Sequence, residues 1–108
     1  MERLEILKER IDKFTTDRDW EQFHTPVNLV KSISIEANEL LECFQWSNTE
    51  FNINDVKEEL ADVMNYCIQL SMVLGVDIID IINEKMDKNE LKYPVEKAKS
   101  KSTKYNKL

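Results

Sequence analysis

One glycine, Gly75, and two prolines, Pro26 and Pro94, punctuate the entire chain. Sheets are joined by many tight turns, and several turn types draw on glycine or proline for their backbone angles. A chain of 108 residues so poor in both is expected to be all-α, with long helices and short connections. The three residues also fall where helix ends belong. Thr25-Pro26 reads as an N-cap followed by proline at the first helical position, Gly75 as a left-handed C-terminal cap, and Pro94 as a stop.

Apolar periodicity fills the intervals between these marks and gives helices at about 2–16, 26–46, 55–74 and 77–93, a four-helix bundle type of fold. Leu4, Leu7, Ile11 and Phe14 form a narrow stripe on the first helix. On the second, Leu29, Ile33, Leu40 and Phe44 face away from Lys31, Ser34, Asn38, Glu42 and Gln45. Val56, Leu60, Val63, Cys67, Leu70 and Leu74 line the third, with Asn54 as its expected N-cap. The fourth opens on Asp77, with Asp80 in a capping-box-like position. Its inner strip starts as Ile78 and Ile82 and continues as Lys85, Asn89 and Lys92, which suits either a polar site at one end of the bundle or a helix running past the core. Residues 1–93 form the expected domain and residues 94–108 a basic tail, either a solvated end or a contact for phosphate, RNA or an acidic neighbour.

Composition narrows the function classes. Hydrophobic residues are 42% and charged residues 33%, an ordinary soluble balance. No apolar run reaches the roughly 18 residues of a membrane span, and no signal-peptide core is present, so the expectation is a cytoplasmic protein without a membrane partner. The net charge is −6, and because the tail holds five lysines against Glu96, the rest of the chain carries −10. An acidic body argues against binding duplex nucleic acid, which requires a basic face. Cys43 and Cys67, without ligand-spaced partners, read as buried thiols rather than a disulfide or zinc site.

Two acidic motifs, Glu36-x-x-Glu39 and Glu59-x-x-Asp62, disturb the amphipathic pattern of the second and third helices. At about 100° per residue Glu36 falls within the apolar arc and Glu39 on its flank. Glu59, Asp62 and Tyr66 run along one edge of the arc on the third helix. Carboxylates turned toward a core are costly unless a positive charge meets them. Between Ser32 and Glu84 the sole cation is Lys57, against eleven acids. A divalent metal answers this best, and an all-oxygen ligand set suits Mg²⁺ or Mn²⁺. A di-iron carboxylate site would use Glu-x-x-His on two helices, whereas the one histidine, His24, lies in a loop.

Trp20, Phe23 and His24 precede the second helix and Trp46 ends it, while Tyr66 shares an edge with the acids. Such rings either pack as core or lid, or stack on a nucleobase, worth roughly 1–3 kcal/mol per base.

The run Asp19-Trp20-Glu21-Gln22-Phe23-His24-x-Pro26-x-Asn28-Leu29 resembles the MazG-like, all-α nucleoside triphosphate pyrophosphohydrolases, in particular their dCTP pyrophosphatase branch. The likeness continues through Glu36-x-x-Glu39-Leu40, Phe44-Gln45-Trp46, Glu58-Glu59-Leu60-x-Asp62-Val63 and Lys85-Met86-Asp87-x-Asn89-x-x-x-Tyr93-Pro94-Val95, covering about Phe14 to Tyr105. It implies that Glu36, Glu39, Glu59 and Asp62 are Mg²⁺ ligands and that Trp20, His24, Trp46 and Tyr66 surround base and sugar. It further implies that Lys85 and Asn89, with Lys92 or Tyr93, meet phosphates, and that the protein is a homodimer or homotetramer with its site completed at a subunit contact. Two positions depart from the pattern. Ala37-Asn38 replaces a small, often glycine-containing pair, and Ile11 stands where relatives often carry a polar residue that can touch the base, so base preference does not carry over.

The expected reaction is Mg²⁺-dependent hydrolysis of a nucleoside triphosphate, with dCTP or a modified dCTP foremost, to the monophosphate and pyrophosphate. Glu36 or Glu58 would take the proton of the attacking water, and Lys85 and Lys92 would stabilise the leaving pyrophosphate. The alternative is a helical regulatory or scaffold module that binds nucleotide without turnover.

Overall fold

The computed structural model describes residues 2–102; Met1 and residues 103–108, with Lys104, Tyr105 and Lys107 of the expected tail, lie outside the described residues. Within 2–102 the chain is all-α, five helices and no strand: α1 Arg3–Asp17, α2 Pro26–Glu42, α3 Ile53–Leu74, α4 Ile78–Lys92 and the single-turn α5 Val95–Ala98. Two compact units divide the chain, one running through Gly75 and the other starting at Val76. No single described helix is long and apolar enough to cross a membrane.

The punctuation residues act as their chemistry requires. Thr25 accepts a hydrogen bond from the Asn28 backbone N–H at 3.3 Å, and Pro26 opens α2. Gly75 ends α3 at φ 70° and ψ 30°, a left-handed conformation that costs a side-chain-bearing residue. Asp77 accepts from the Asp80 N–H at 3.0 Å. Pro94, extended, follows α4 and caps α5 within the segment expected to be tail.

Two boundaries differ from expectation. The second helix stops at Glu42 rather than Trp46. Beyond it the N–H groups of Cys43, Phe44 and Gln45 reach back three residues, to Leu40, Leu41 and Glu42, so the helix tightens into turns. Ser47 then accepts from the N–H groups of Thr49 and Glu50, and the rings of Phe44 and Phe51 meet at 4.7 Å, which folds the chain back. The third helix is capped by Asn52, not Asn54. The Asn52 Oδ1 accepts from the N–H groups of Asn54 at 2.9 Å and Asp55 at 3.2 Å, a cap worth about 1 kcal/mol.

In the first unit α2 packs along α3, and α1 also touches α3. Leu29 is wholly enclosed, while Ile11 and Ile68 complete a small apolar centre. The buried polar groups beside them are satisfied locally. Thr15 donates to the Asp12 carbonyl at 3.0 Å and Ser71 to the Ile68 carbonyl at 2.6 Å. Much apolar surface remains uncovered: Val27, Val30 and Leu41 on α2 and Ile53, Leu60 and Met64 on α3 are exposed. In the second unit no described residue of α4 is buried.

Candidate functional site

Glu36 on α2 and Glu59 and Asp62 on α3 each offer a carboxylate oxygen to one point, the three atoms lying within 4.8 Å of one another. The long packing contact between α2 and α3 creates this cluster from residues more than twenty positions apart in sequence. One oxygen of Glu36 and one of Glu59, Oε2 in each, is buried with no hydrogen-bond partner. Glu39 stands beside them on α2, close enough for its carboxylate to raise both Glu36 and Glu59.

The electrostatics follow. The shared hydrogen bond with Glu39, burial, and the charges of Glu39, Asp62 and Glu59 push the Glu36 carboxyl up to about 7. Burial, the same bond to Glu39 and the charges of Glu39, Asp62 and Glu58 raise Glu59. The ion pairs Lys8–Glu5 and Lys13–Asp17 do not touch the cluster. Orphaned buried carboxylate oxygens that converge without a cation fit a divalent metal ion, and the donor set is that of a hard one. Glu58 stands exposed beside the cluster, and Cys43, a half-buried free thiol, is raised by burial and by the Glu59 charge.

Next to the acids lies a cavity of about 430 Å³, bounded by α1, α3 and the loop between α1 and α2, with Asp62 in its wall. That loop is braced from within. Gln22 Nε2 donates to both the carbonyl and the Oδ2 of Asp19, and Asn28 Nδ2 donates to the Phe23 carbonyl. So held, the loop sets Trp20 edge-on to Phe14 at 5.6 Å and to His24 at 6.3 Å, and His24 edge-on to Tyr66 at 6.4 Å. Burial first, and then the charges of Glu36, Asp62 and Glu39, raise the Tyr66 phenol. Trp20, His24, Tyr66 and Asp62 are thus brought together around one cavity.

Trp46, in the turn after α2, is 89% exposed and does not join this row. Lys85, Asn89 and Lys92 lie on α4, and Tyr93 caps its end by donating its N–H to the Asn89 carbonyl at 2.8 Å; all four belong to the second unit. The cavity also contains residues not picked out by periodicity, above all Asn65 and Gln69. Their signal was present: they follow Asp62 at i+3 and i+7, extending its polar strip along an otherwise apolar stretch of α3.

Comparison with known proteins places this geometry. Residues 31–108, which include all four carboxylates, match the MazG-like family. The chain is 37% identical to dCTP pyrophosphatase 1 of Mus musculus and 36% identical to that of Homo sapiens, in each case over 97% of this chain and 67% of the relative. The crystal structure of a pyrophosphatase from Archaeoglobus fulgidus superposes with a TM-score of 0.83 at 39% identity, covering 87% of this chain and 94% of that one. Matched in fold, in near full-length sequence and over the helices that carry its acidic cluster, the chain belongs to the MazG-like family, as a relative of the pyrophosphatases.

Proposed function

We propose that this protein hydrolyses a nucleoside triphosphate between its α and β phosphates, releasing the monophosphate and pyrophosphate, and that dCTP or a modified dCTP is its foremost substrate. The role that follows is removal of unwanted deoxynucleotides from the precursor pool. The observation that carries the reading is the cluster of Glu36, Glu59 and Asp62, with Glu39 beside it and two buried oxygens left unpartnered next to a cavity walled by aromatic rings. The pyrophosphatase relatives support the bond cleaved, and the name of the mammalian ones supports the base.

These four carboxylates would hold magnesium or manganese, which when bound supplies charge neutralisation for the phosphates and a more acidic water. Glu36, whose proton affinity is raised to about 7, suits the role of general base near neutral pH, with the exposed Glu58 as the alternative. Trp20, His24 and Tyr66 take the base and sugar by stacking and edge contacts. Lys85 and Lys92 stabilise charge on the leaving pyrophosphate, with Asn89 and Tyr93 orienting it. Trp46 meets the base from a neighbouring copy in a homodimer or homotetramer. The exposed apolar stripe of Val27, Val30 and Leu41, continuous with the packed face of α2, supports such an assembly.

The test is a turnover assay with dCTP and Mg²⁺. Wild type is expected to release dCMP and pyrophosphate, and Glu39→Gln and Asp62→Asn to lose about two orders of magnitude or more. Near-normal release by either variant would sink the metal assignment. Tight dCTP binding without any dCMP, in Mg²⁺ or Mn²⁺, would instead point to a nucleotide-binding module. Light scattering checks the assembly, and a monomer at micromolar concentration would contradict it.

A further inference from the structure

We infer that Asn65 and Gln69 form the device that reads the edge of the base, a deeper statement of the proposed nucleotide site and dependent on it. Both line the cavity that holds Trp20, His24 and Tyr66 and that touches the acidic cluster through Asp62. Asp62, Asn65 and Gln69 occupy one strip of α3, and the seven-residue step from Asp62 to Gln69 rises about 10 Å along the helix axis. A triphosphate at the carboxylates would therefore lay its sugar past Tyr66 and carry its base toward the amides.

The two amides are already coupled. Gln69 Nε2 donates to Asn65 Oδ1 at 2.9 Å, and Gln69 is only 8% exposed. A primary amide has two N–H donors and a carbonyl acceptor. Among the described residues neither side chain has another hydrogen bond, so this pair in the cavity wall keeps the Gln69 carbonyl as a free acceptor and the Asn65 amide as a free donor. Reversing both amides exchanges the residues but leaves one acceptor beside one donor. A phosphate, whose oxygens only accept, offers no matching edge. A pyrimidine does: the 4-amino group of cytosine donates next to the N3 acceptor. A carbonyl that the bound base covers and leaves unmet loses its water without compensation, so a base stripped of its 4-substituent is disfavoured. Thr15 and Ile11 in the same wall do not duplicate this arrangement, since Thr15 spends its hydroxyl proton on the Asp12 carbonyl and Ile11 is apolar.

The experiment compares dCTP with the deoxynucleoside triphosphate of 2-pyrimidinone, in which hydrogen replaces the 4-amino group. It uses wild type, Gln69→Met, which nearly conserves volume, and Asn65→Leu at an exposed position. Wild type is expected to favour dCTP by about tenfold or more in kcat/KM, and each variant to bring that ratio to within about threefold by losing dCTP turnover. Melting curves run in parallel show whether each variant is folded. The same ratio, read as Kd with the α,β-methylene forms of both nucleotides, tests the pair whether or not the protein turns substrate over. A preference retained by both folded variants overturns the inference and leaves the amides as packing. Absence of hydrolysis with a preference that still depends on the amides would instead overturn the enzymatic reading.

Discussion

Two stretches of α3 treat buried polar atoms in opposite ways. Around Glu59 and Asp62, where α2 contributes Glu36 and Glu39, carboxylates converge and two oxygens are left without partners. One or two turns further on, Gln69 bonds to Asn65 and Ser71 closes on the Ile68 carbonyl at 2.6 Å. Both stretches hold polar groups in a half-dry setting, where leaving one unmet costs roughly 1–3 kcal/mol, and more when it is charged. In the second stretch the Gln69 and Ser71 donors find acceptors within their own helix. The first leaves two oxygens unmet among converging carboxylates, an arrangement that suits a divalent cation. A site that binds is thus distinguished from a core by what its own residues fail to satisfy.

This contrast can be broken at several points. The largest expected effect is on activity: Glu59→Gln should lower Mg²⁺-dependent pyrophosphate release by about two orders of magnitude or more while leaving the melting temperature in chelator unchanged or higher. A variant both inactive and strongly destabilised in chelator would mean that the acids hold the fold together. Next, Mg²⁺ at a hundred times its Kd should stabilise wild type by about 2.7 kcal/mol, and Glu36→Gln should abolish most of that gain in thermal or urea unfolding. Third, pH should act through the same acids. Because Glu36 holds a proton in the folded state that the unfolded chain releases earlier, its contribution is complete below about pH 4.5 and is lost as pH rises through about 7, and the raised Glu59 carboxyl acts in the same direction. Without divalent ions, wild type should therefore lose stability relative to Glu36→Gln between those pH values, and parallel profiles for the two proteins would refute the raised carboxyl. The smallest effect belongs to the satisfied stretch, where Ser71→Ala should cost about 1 kcal/mol in denaturant unfolding with dCTP turnover unaltered.

Much of this was legible in residues. The scarcity of glycine and proline gave the all-α class, and Thr25-Pro26, Gly75 and Asp77 marked helix ends because capping is local chemistry. Glu36 and Glu59 stood out because carboxylates on an apolar arc lacked any nearby cation. Legibility ended where local alternatives compete. Asn52 and Asn54 are equally good caps on paper, and the choice fell to Asn52 as the chain folded back through the Ser47 turn and the Phe44–Phe51 contact. Trp46 was expected to end the second helix; with α2 ending at Glu42 it lies exposed in the turn that follows.

By itself, then, the sequence determined the helices, the acids within them and the family to which they belong, since periodicity, capping and motif order are properties of neighbours along the chain. Tertiary structure alone decided that Glu36 and Glu59 share one point and that the braced loop brings Trp20 and His24 to Tyr66. It also turned Asn65 and Gln69 from two polar residues into a single amide pair beside a cavity. The reason is physical: convergence depends on how two helices lie against each other, and that is set by packing between residues far apart in the chain.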